Sequence, residues 1–174
     1  MSRKALRALL VVALTFLAAS IGSYVARSEA QRAAATIEWV TDGDTLRVRG
    51  GERVRLLQID APEAGEECYA RRATAELIRL TPRGTRVALE TDPALDARDR
   101  YGRLLRYVHV GSTNVNVELV RRGAATPWFY GGDRGKYAHR LLDAVADARR
   151  ARRGMWGACE VVWSPEGPVK TTPR

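Results

Sequence analysis

At 174 residues the chain is long enough for one domain with additions and too short for two full domains. Its 29 Lys and Arg against 20 Asp and Glu give a net charge of +9, which favours a polyanionic partner, most simply nucleic acid, over a basic surface with no specific partner. Only two histidines and two cysteines are present, too few and too scattered for a zinc centre.

The N-terminus carries Arg3, Lys4 and Arg7, and no charge follows from Ala8 to Ala26. The dense apolar run Leu9–Ala19 has the length of a signal-peptide core, with a small-residue cleavage pattern at Ala18-Ala19-Ser20. The whole uncharged run 8–26 is also just long enough to anchor the chain in a membrane. Residues 1–26 are therefore read as a cleaved signal or an uncleaved anchor, and either exports the rest of the chain. In an oxidising compartment the isolated pair Cys68 and Cys159 is most simply a disulfide, with two buried free thiols as the alternative.

Residues 27–35 read as a linker. Thr36–Val40 and Thr45–Arg49 alternate as strands about the turn Thr41-Asp42-Gly43-Asp44, where Gly43 is free to take positive φ. Gly50-Gly51 turns the chain into a third strand, Arg53–Ile59, which Pro62 stops. A helix is expected over 67–80, with Ala70, Ala73, Leu77 and Leu80 on its apolar face and Pro82 and Gly84 ending it. Strands at 85–90 and 104–110 flank a charged loop. A short helix over 115–122 stops at Gly123, an aromatic loop holds Trp128-Phe129-Tyr130, and a last helix covers 136–152. Residues 160–174, rich in proline, read as a flexible tail. Five short strands with a helix between the third and fourth is the pattern of an OB-fold, a five-stranded Greek-key barrel, here with three helices in an α+β arrangement.

Asp42 and Asp44 flank Gly43, Asp60 and Glu63 flank Ala61-Pro62, and Arg98, Arg100 and Arg103 crowd the loop before the fifth strand, while Arg55 lies along the third. Carboxylates crowded at a strand end need a cation or an arginine to be stable there. Together these residues supply what phosphodiester hydrolysis requires: oxygen ligands for a hard cation, a carboxylate for water, and guanidinium groups for charge on phosphate.

Three segments carry a family resemblance: Val40-Thr41-Asp42-Gly43-Asp44-Thr45, Arg55-Leu56-Leu57-Gln58-Ile59-Asp60-Ala61-Pro62-Glu63 and Asp99-Arg100-Tyr101-Gly102-Arg103. In order and spacing they resemble the signature segments of the staphylococcal nuclease (thermonuclease) family, and Asn116, Glu118–Gly123 and Gly154-Met155-Trp156 resemble its later helix and closing segment. The resemblance covers about 36–159 and implies a calcium-dependent phosphodiesterase that cleaves DNA and RNA with little sequence preference and leaves 3′-phosphate ends. It implies catalytic roles for Arg55, Glu63 and Arg103, calcium ligation by Asp44, Asp60 and the carbonyl of Ala61, and support of the metal by Asp42. It further implies substrate contacts from Arg100 and Tyr101, with Tyr130 or Phe129 as the surface on which a base stacks. The Cys68/Cys159 pair resembles an arrangement in other exported members. The segment 64–69 is shorter than the family's substrate-side loop. A monomer with no protein partner is expected. The competing reading is an OB-fold module that binds nucleic acid without catalysis; the presence of Arg55, Glu63 and Arg103 argues against it. No positive feature argues for an envelope structural domain.

Overall fold

The protein is described by a computed structural model, over residues 32–65 and 67–174. The segment read as signal or anchor, 1–26, lies outside the described residues. Among the described residues no helix is long and apolar enough to cross a membrane.

Three strands of the sequence reading appear where alternation put them. Strand β1 spans Arg32–Val40, β2 Thr45–Val48 and β3 Arg53–Leu56. They form an antiparallel meander, with Thr45 opposite Arg55 and Leu46 opposite Val54. Strand β1 takes in part of the expected linker. Strands β5 (Arg86–Glu90) and β6 (Leu104–Val110) pair antiparallel, and β5 also lies beside β1. The barrel closes through a parallel pairing of β3 with β6, which sets Val54 beside Leu104 and Leu56 beside Arg106. The result is the five-stranded OB barrel expected from the pattern. Ile37, Leu46, Val54, Leu56 and Val108 fill its interior and are all essentially inaccessible to water.

Three helices pack on the barrel. Helix α1 (Ala70–Leu80) buries Ala70, Ala73 and Leu77; α2 (Val115–Arg121) buries Val115, Val117, Leu119 and Val120; α3 (Ala138–Arg150) buries Ala138, Leu141, Ala144, Val145 and Ala148. Asn114 caps α2, its side chain accepting from the Val117 N–H at 3.1 Å. A one-turn helix α4 (Met155–Ala158) follows. Asn116 is wholly buried because it ties elements together: Oδ1 accepts from Val108 N–H at 3.0 Å, and Nδ2 donates to the Leu57 carbonyl at 2.9 Å.

Three expectations are corrected. The third strand does not run to Ile59. Gln58 adopts a left-handed φ of 58° and breaks it, so Ile59–Asp60 becomes a separate strand β4 that pairs with β8 (Thr126–Pro127). The break is stabilised by the buried Gln58 side chain, whose Oε1 accepts from Tyr107 Oη at 3.2 Å and Gly135 N–H at 2.9 Å. Second, Gly43 has no positive φ. It is required by close approach: a Cβ there would lie 2.6 Å from Ala61 Cβ and 3.0 Å from Ala73 Cβ. Third, 160–174 is not a loose tail. Strands β9 (Cys159–Val162) and β10 (Lys170–Pro173) form an antiparallel hairpin, with Pro173 opposite Cys159. Pro165, Gly167 and Pro168 sit in the turn between the strands, where they shape the chain instead of loosening it, and Pro173 ends β10. A two-residue strand β7 (Thr113–Asn114) turns back and pairs antiparallel with the end of β6, setting Thr113 opposite Val110.

On the far side of β5, Glu90 lies among Tyr137 Oη at 2.8 Å, Lys136 Nζ at 3.0 Å and His109 Nε2 at 2.7 Å. Burial works to raise this carboxyl, but the hydrogen bonds from Tyr137 and Lys136, with His109, outweigh it and hold the Glu90 pKa at about 2. A depressed carboxylate pKa contributes stability that is complete above the ordinary value of 4.5 and is lost as pH falls from there through about 2. Thermal midpoints measured across that window should fall steeply for the parent and less steeply for Glu90→Gln, and equal slopes would contradict the assignment.

Candidate active site

Register brings the acidic turn to the arginine strand. Because Thr45 faces Arg55 across β2 and β3, Asp44 sits directly beside the strand, and its carbonyl accepts from Leu56 N–H at 2.9 Å. Asp60 follows the Gln58 break and turns back to the same place. Arg55 is the hub. Its Nη2 lies 2.9 Å from Asp44 Oδ2 and 2.9 Å from Asp60 Oδ1, while Nη1 donates to the carbonyls of Leu56 (2.8 Å) and Ile59 (2.7 Å). Only 8 % of Arg55 is exposed, so these contacts fix the guanidinium in one orientation.

The two aspartates are held from other sides as well. Ala61 N–H donates to Asp44 Oδ2 at 3.0 Å, Thr45 Oγ1 to Asp44 Oδ1 at 3.1 Å, and Val169 N–H to Asp60 Oδ2 at 2.9 Å. Asp42 Oδ1 accepts from Asp44 N–H at 3.1 Å and so shapes the turn. Burial raises the Asp44 carboxyl to about 7 against the pull of Arg55, with the like charges of Asp42 and Asp60 adding to the rise. Burial also raises Asp60 against Arg55 and the Val169 N–H, and Glu63 and Glu67 push it the same way. Burial of the two carboxylates is what opposes their ionisation beside Arg55.

The chemistry of the donor set is the test of fit for a metal. Among the described residues no group of three or more His, Cys, Asp or Glu is arranged as a ready metal cage. The donors that are present are hard carboxylate oxygens, two of them on buried side chains whose ionisation a cation would favour. A hard divalent ion of the calcium or magnesium type fits them, since such ions fill much of their shell with water and phosphate oxygen.

Arg55 also lines a cavity of about 380 Å³ whose wall includes Arg100, Tyr101, Arg103, Trp128 and Tyr130. Arg103 reaches it from the loop before β6, and Asp99 holds it there. Asp99 Oδ2 accepts from Arg103 Nε at 2.6 Å, and Oδ1 accepts from the backbone N–H groups of Arg103 and Tyr101, both at 2.9 Å. Burial would raise Asp99, but the hydrogen bond from Arg103 prevails and its pKa is lowered. Arg100 lies 4.8 Å above the Tyr101 ring and donates to its Oη at 2.6 Å. Pairing of β4 with β8 carries the aromatic loop to the opposite wall, where Trp128 N–H donates to the Gln58 carbonyl at 3.0 Å.

Five of the expected residues thus share one cavity: Arg55, Arg100, Tyr101, Arg103 and Tyr130. Asp44, Asp60 and Ala61 lie behind Arg55, and Glu63 is exposed on the turn after Pro62, its N–H donating to Glu67 Oε2 at 3.0 Å. Of the two stacking candidates, Phe129 is wholly buried in the core and cannot meet a base; Tyr130 is 76 % exposed, edge-on to Trp128. Sequence reasoning missed the roles of Asp99, Glu67 and Val169. For Asp99 a signal existed, the spacing of an acid four residues before Arg103 within a turn; for the backbone donor at Val169 there was none. Cys68 and Cys159 are joined as a disulfide, with Cα atoms 6.1 Å apart.

A closed OB barrel in which Arg55 links a buried pair of aspartates to a cavity shared with Arg100 and Arg103 has the chemistry to receive phosphate. Residues 53–158 match the family model described as Staphylococcal nuclease homologue, and the chain belongs to that family. It is a thermonuclease-like nuclease. Similar proteins include an "Uncharacterized endonuclease" of Escherichia coli, 35 % identical over 127 residues that cover 71 % of this chain and 76 % of that protein. The "Thermonuclease" of Staphylococcus intermedius is 32 % identical over 128 residues, covering 69 % of this chain and 74 % of that protein. "Endonuclease YhcR" of Bacillus subtilis (strain 168) is 29 % identical over 136 residues, and there the match spans only 11 % of the relative.

Proposed function

We propose that this nuclease is a calcium-dependent endonuclease that hydrolyses phosphodiester bonds in DNA and RNA with little sequence preference. The observation that carries the reading is Arg55: one face of its guanidinium closes the acidic cluster of Asp44 and Asp60, and the same residue lines the cavity shared with Arg103 and Tyr130. Asp44, Asp60 and the carbonyl of Ala61 would hold the ion, with Asp42 shaping their turn. Bound calcium supplies Lewis-acid polarisation of a phosphoryl oxygen.

The chain's own groups do the rest. Arg55 and Arg103 place fixed positive charge beside the phosphate where negative charge grows, and in a partly buried cavity such charge acts more strongly than in water. Glu63, exposed on a short turn, orients an attacking water and takes its proton. Arg100 neutralises a neighbouring phosphate, and Tyr130 offers its ring to a base without reading its edge, which is why little sequence preference is expected. Export and a monomeric state complete the proposal; the disulfide is compatible with an oxidising compartment. Mass analysis of digests of short single-stranded DNA and RNA oligonucleotides tests the reaction. Fragments from both should end in 3′-phosphate and 5′-hydroxyl groups, and 3′-hydroxyl ends would contradict the proposed cleavage.

A further inference from the structure

The family match ends at residue 158, and the hairpin that begins at Cys159 lies beyond it. This hairpin nevertheless touches three segments that build the site. Val169 N–H donates to Asp60 Oδ2 at 2.9 Å. Thr171 Oγ1 donates to the Cys68 carbonyl at 2.6 Å while its own carbonyl accepts from Cys68 N–H at 3.3 Å, and Lys170 Nζ lies 3.3 Å from Glu67 Oε1. The Pro165 carbonyl accepts from Phe129 N–H at 2.7 Å, and Trp163 Nε1 donates to the Pro127 carbonyl at 2.7 Å. The hairpin is itself fixed at its root, because Cys159 is disulfide-bonded and packs with Met155 and Val169 in a small apolar cluster of its own.

We propose that the hairpin 159–173 is a positioning element for the metal-binding carboxylate, with the Val169 N–H as its working contact on Asp60. The inference rests on the metal reading above. The physical argument is one of orientation. Asp60 Oδ1 is held by Arg55 and Oδ2 by Val169, so both oxygens of the carboxylate are restrained before any ion arrives. Without the Val169 contact the group can swing toward Arg55 alone, and each calcium bound must first restrain it. Loss of a contact that orients a metal ligand typically weakens metal affinity about 10- to 100-fold.

Val169→Pro removes the N–H and keeps an apolar ring in the cluster, and Val169→Ala keeps the N–H and trims the side chain. Calorimetric titration with calcium alone, without nucleic acid, should show at least a tenfold rise in Kd for Val169→Pro and less than a twofold change for Val169→Ala. The calcium concentration for half-maximal hydrolysis should move in parallel, while the rate at saturating calcium stays within about twofold of the parent. A chain ending at Ser164 keeps the disulfide and removes β10, and it should repeat the Val169→Pro result if that variant does not fold. Equal calcium affinity in Val169→Pro and parent, or equal loss in Val169→Ala, overturns the role of the N–H. If neither Val169→Pro nor the shortened chain folds, the hairpin is a structural part of the barrel and the proposal falls. A parent chain that takes up no calcium removes the metal reading itself, which separates that failure from failure of the hairpin's role.

Discussion

Glu63→Gln and Arg103→Ala should each lower kcat by about two to four orders of magnitude and leave the fold intact. The separation of effects follows from where the residues sit. Glu63 is exposed on the turn after Pro62, so the loss of its charge removes no core packing. Arg103 is partly buried, but Asp99 keeps the backbone N–H groups of residues 101 and 103 when the guanidinium is removed, so the loop retains its shape. Arg103→Lys keeps the charge but loses the planar fork that spans two phosphate oxygens, and it should fall between Ala and the parent. Steady-state kinetics on single-stranded DNA, with circular dichroism on each variant, check this. A near-parent kcat in Glu63→Gln or in Arg103→Ala would remove that residue from the mechanism, and lost dichroism would mark the change as structural.

The second large effect concerns the disulfide. It links residues 91 apart in sequence, and the loop-entropy model assigns such a closure about 4–5 kcal/mol. For a domain of this size that corresponds to a fall of roughly 10–20 °C in thermal midpoint when Cys68 and Cys159 are both replaced by Ala. Part of the loss is local, because Cys159 is 1 % exposed and packs against Met155 and Val169. Reduction of the parent with a dithiol, which leaves both side chains in place, should reproduce most of the shift. A midpoint unchanged by both treatments would show that the bridge does not restrain the unfolded chain. Non-reducing mass analysis gives the connectivity directly.

Much of the barrel was legible because its signals are local. Alternation in Thr36–Val40 and Thr45–Val48 fixed which side chains face inward, and Gly50-Gly51 fixed where the meander turns. The apolar spacing of Ala70, Ala73 and Leu77 gave the buried face of α1. What was not legible depends on partners distant in sequence. The left-handed Gln58 break rests on Tyr107 and Gly135, so a run of apolar residues through Leu57 and Ile59 reads as one strand when two are formed. Gly43 reads as a turn glycine, but its constraint is the close approach of Ala61 and Ala73. The hairpin 159–173 reads as loose because Pro165, Gly167 and Pro168 are local breakers, whereas what holds it is the disulfide, the buried Val169 and contacts to Asp60, Cys68 and Pro127.

The candidate site divides the same way. Arg55, Asp60 and Glu63 lie within nine residues and carry their chemistry in the order of the chain. Asp44 and Arg103 could be grouped with them from the sequence by chemical type and by family resemblance, but not by position; the β2–β3 register and the parallel β3–β6 closure supply the physical reason. Tyr130 and Phe129 are neighbours of similar chemistry, and only their opposite burial separates a stacking surface from a core residue.

The central claim is that hydrolysis needs a cation at the Asp44–Asp60–Arg55 cluster. The most direct measurement follows release of acid-soluble fragments from single-stranded DNA at a fixed concentration of the full chain, first in calcium, then after excess chelator, then with calcium restored. Cleavage should proceed in calcium, stop in chelator and resume on restoration, and Asp44→Asn should need far more calcium for the same rate. Cleavage at an equal rate in chelator would contradict the account.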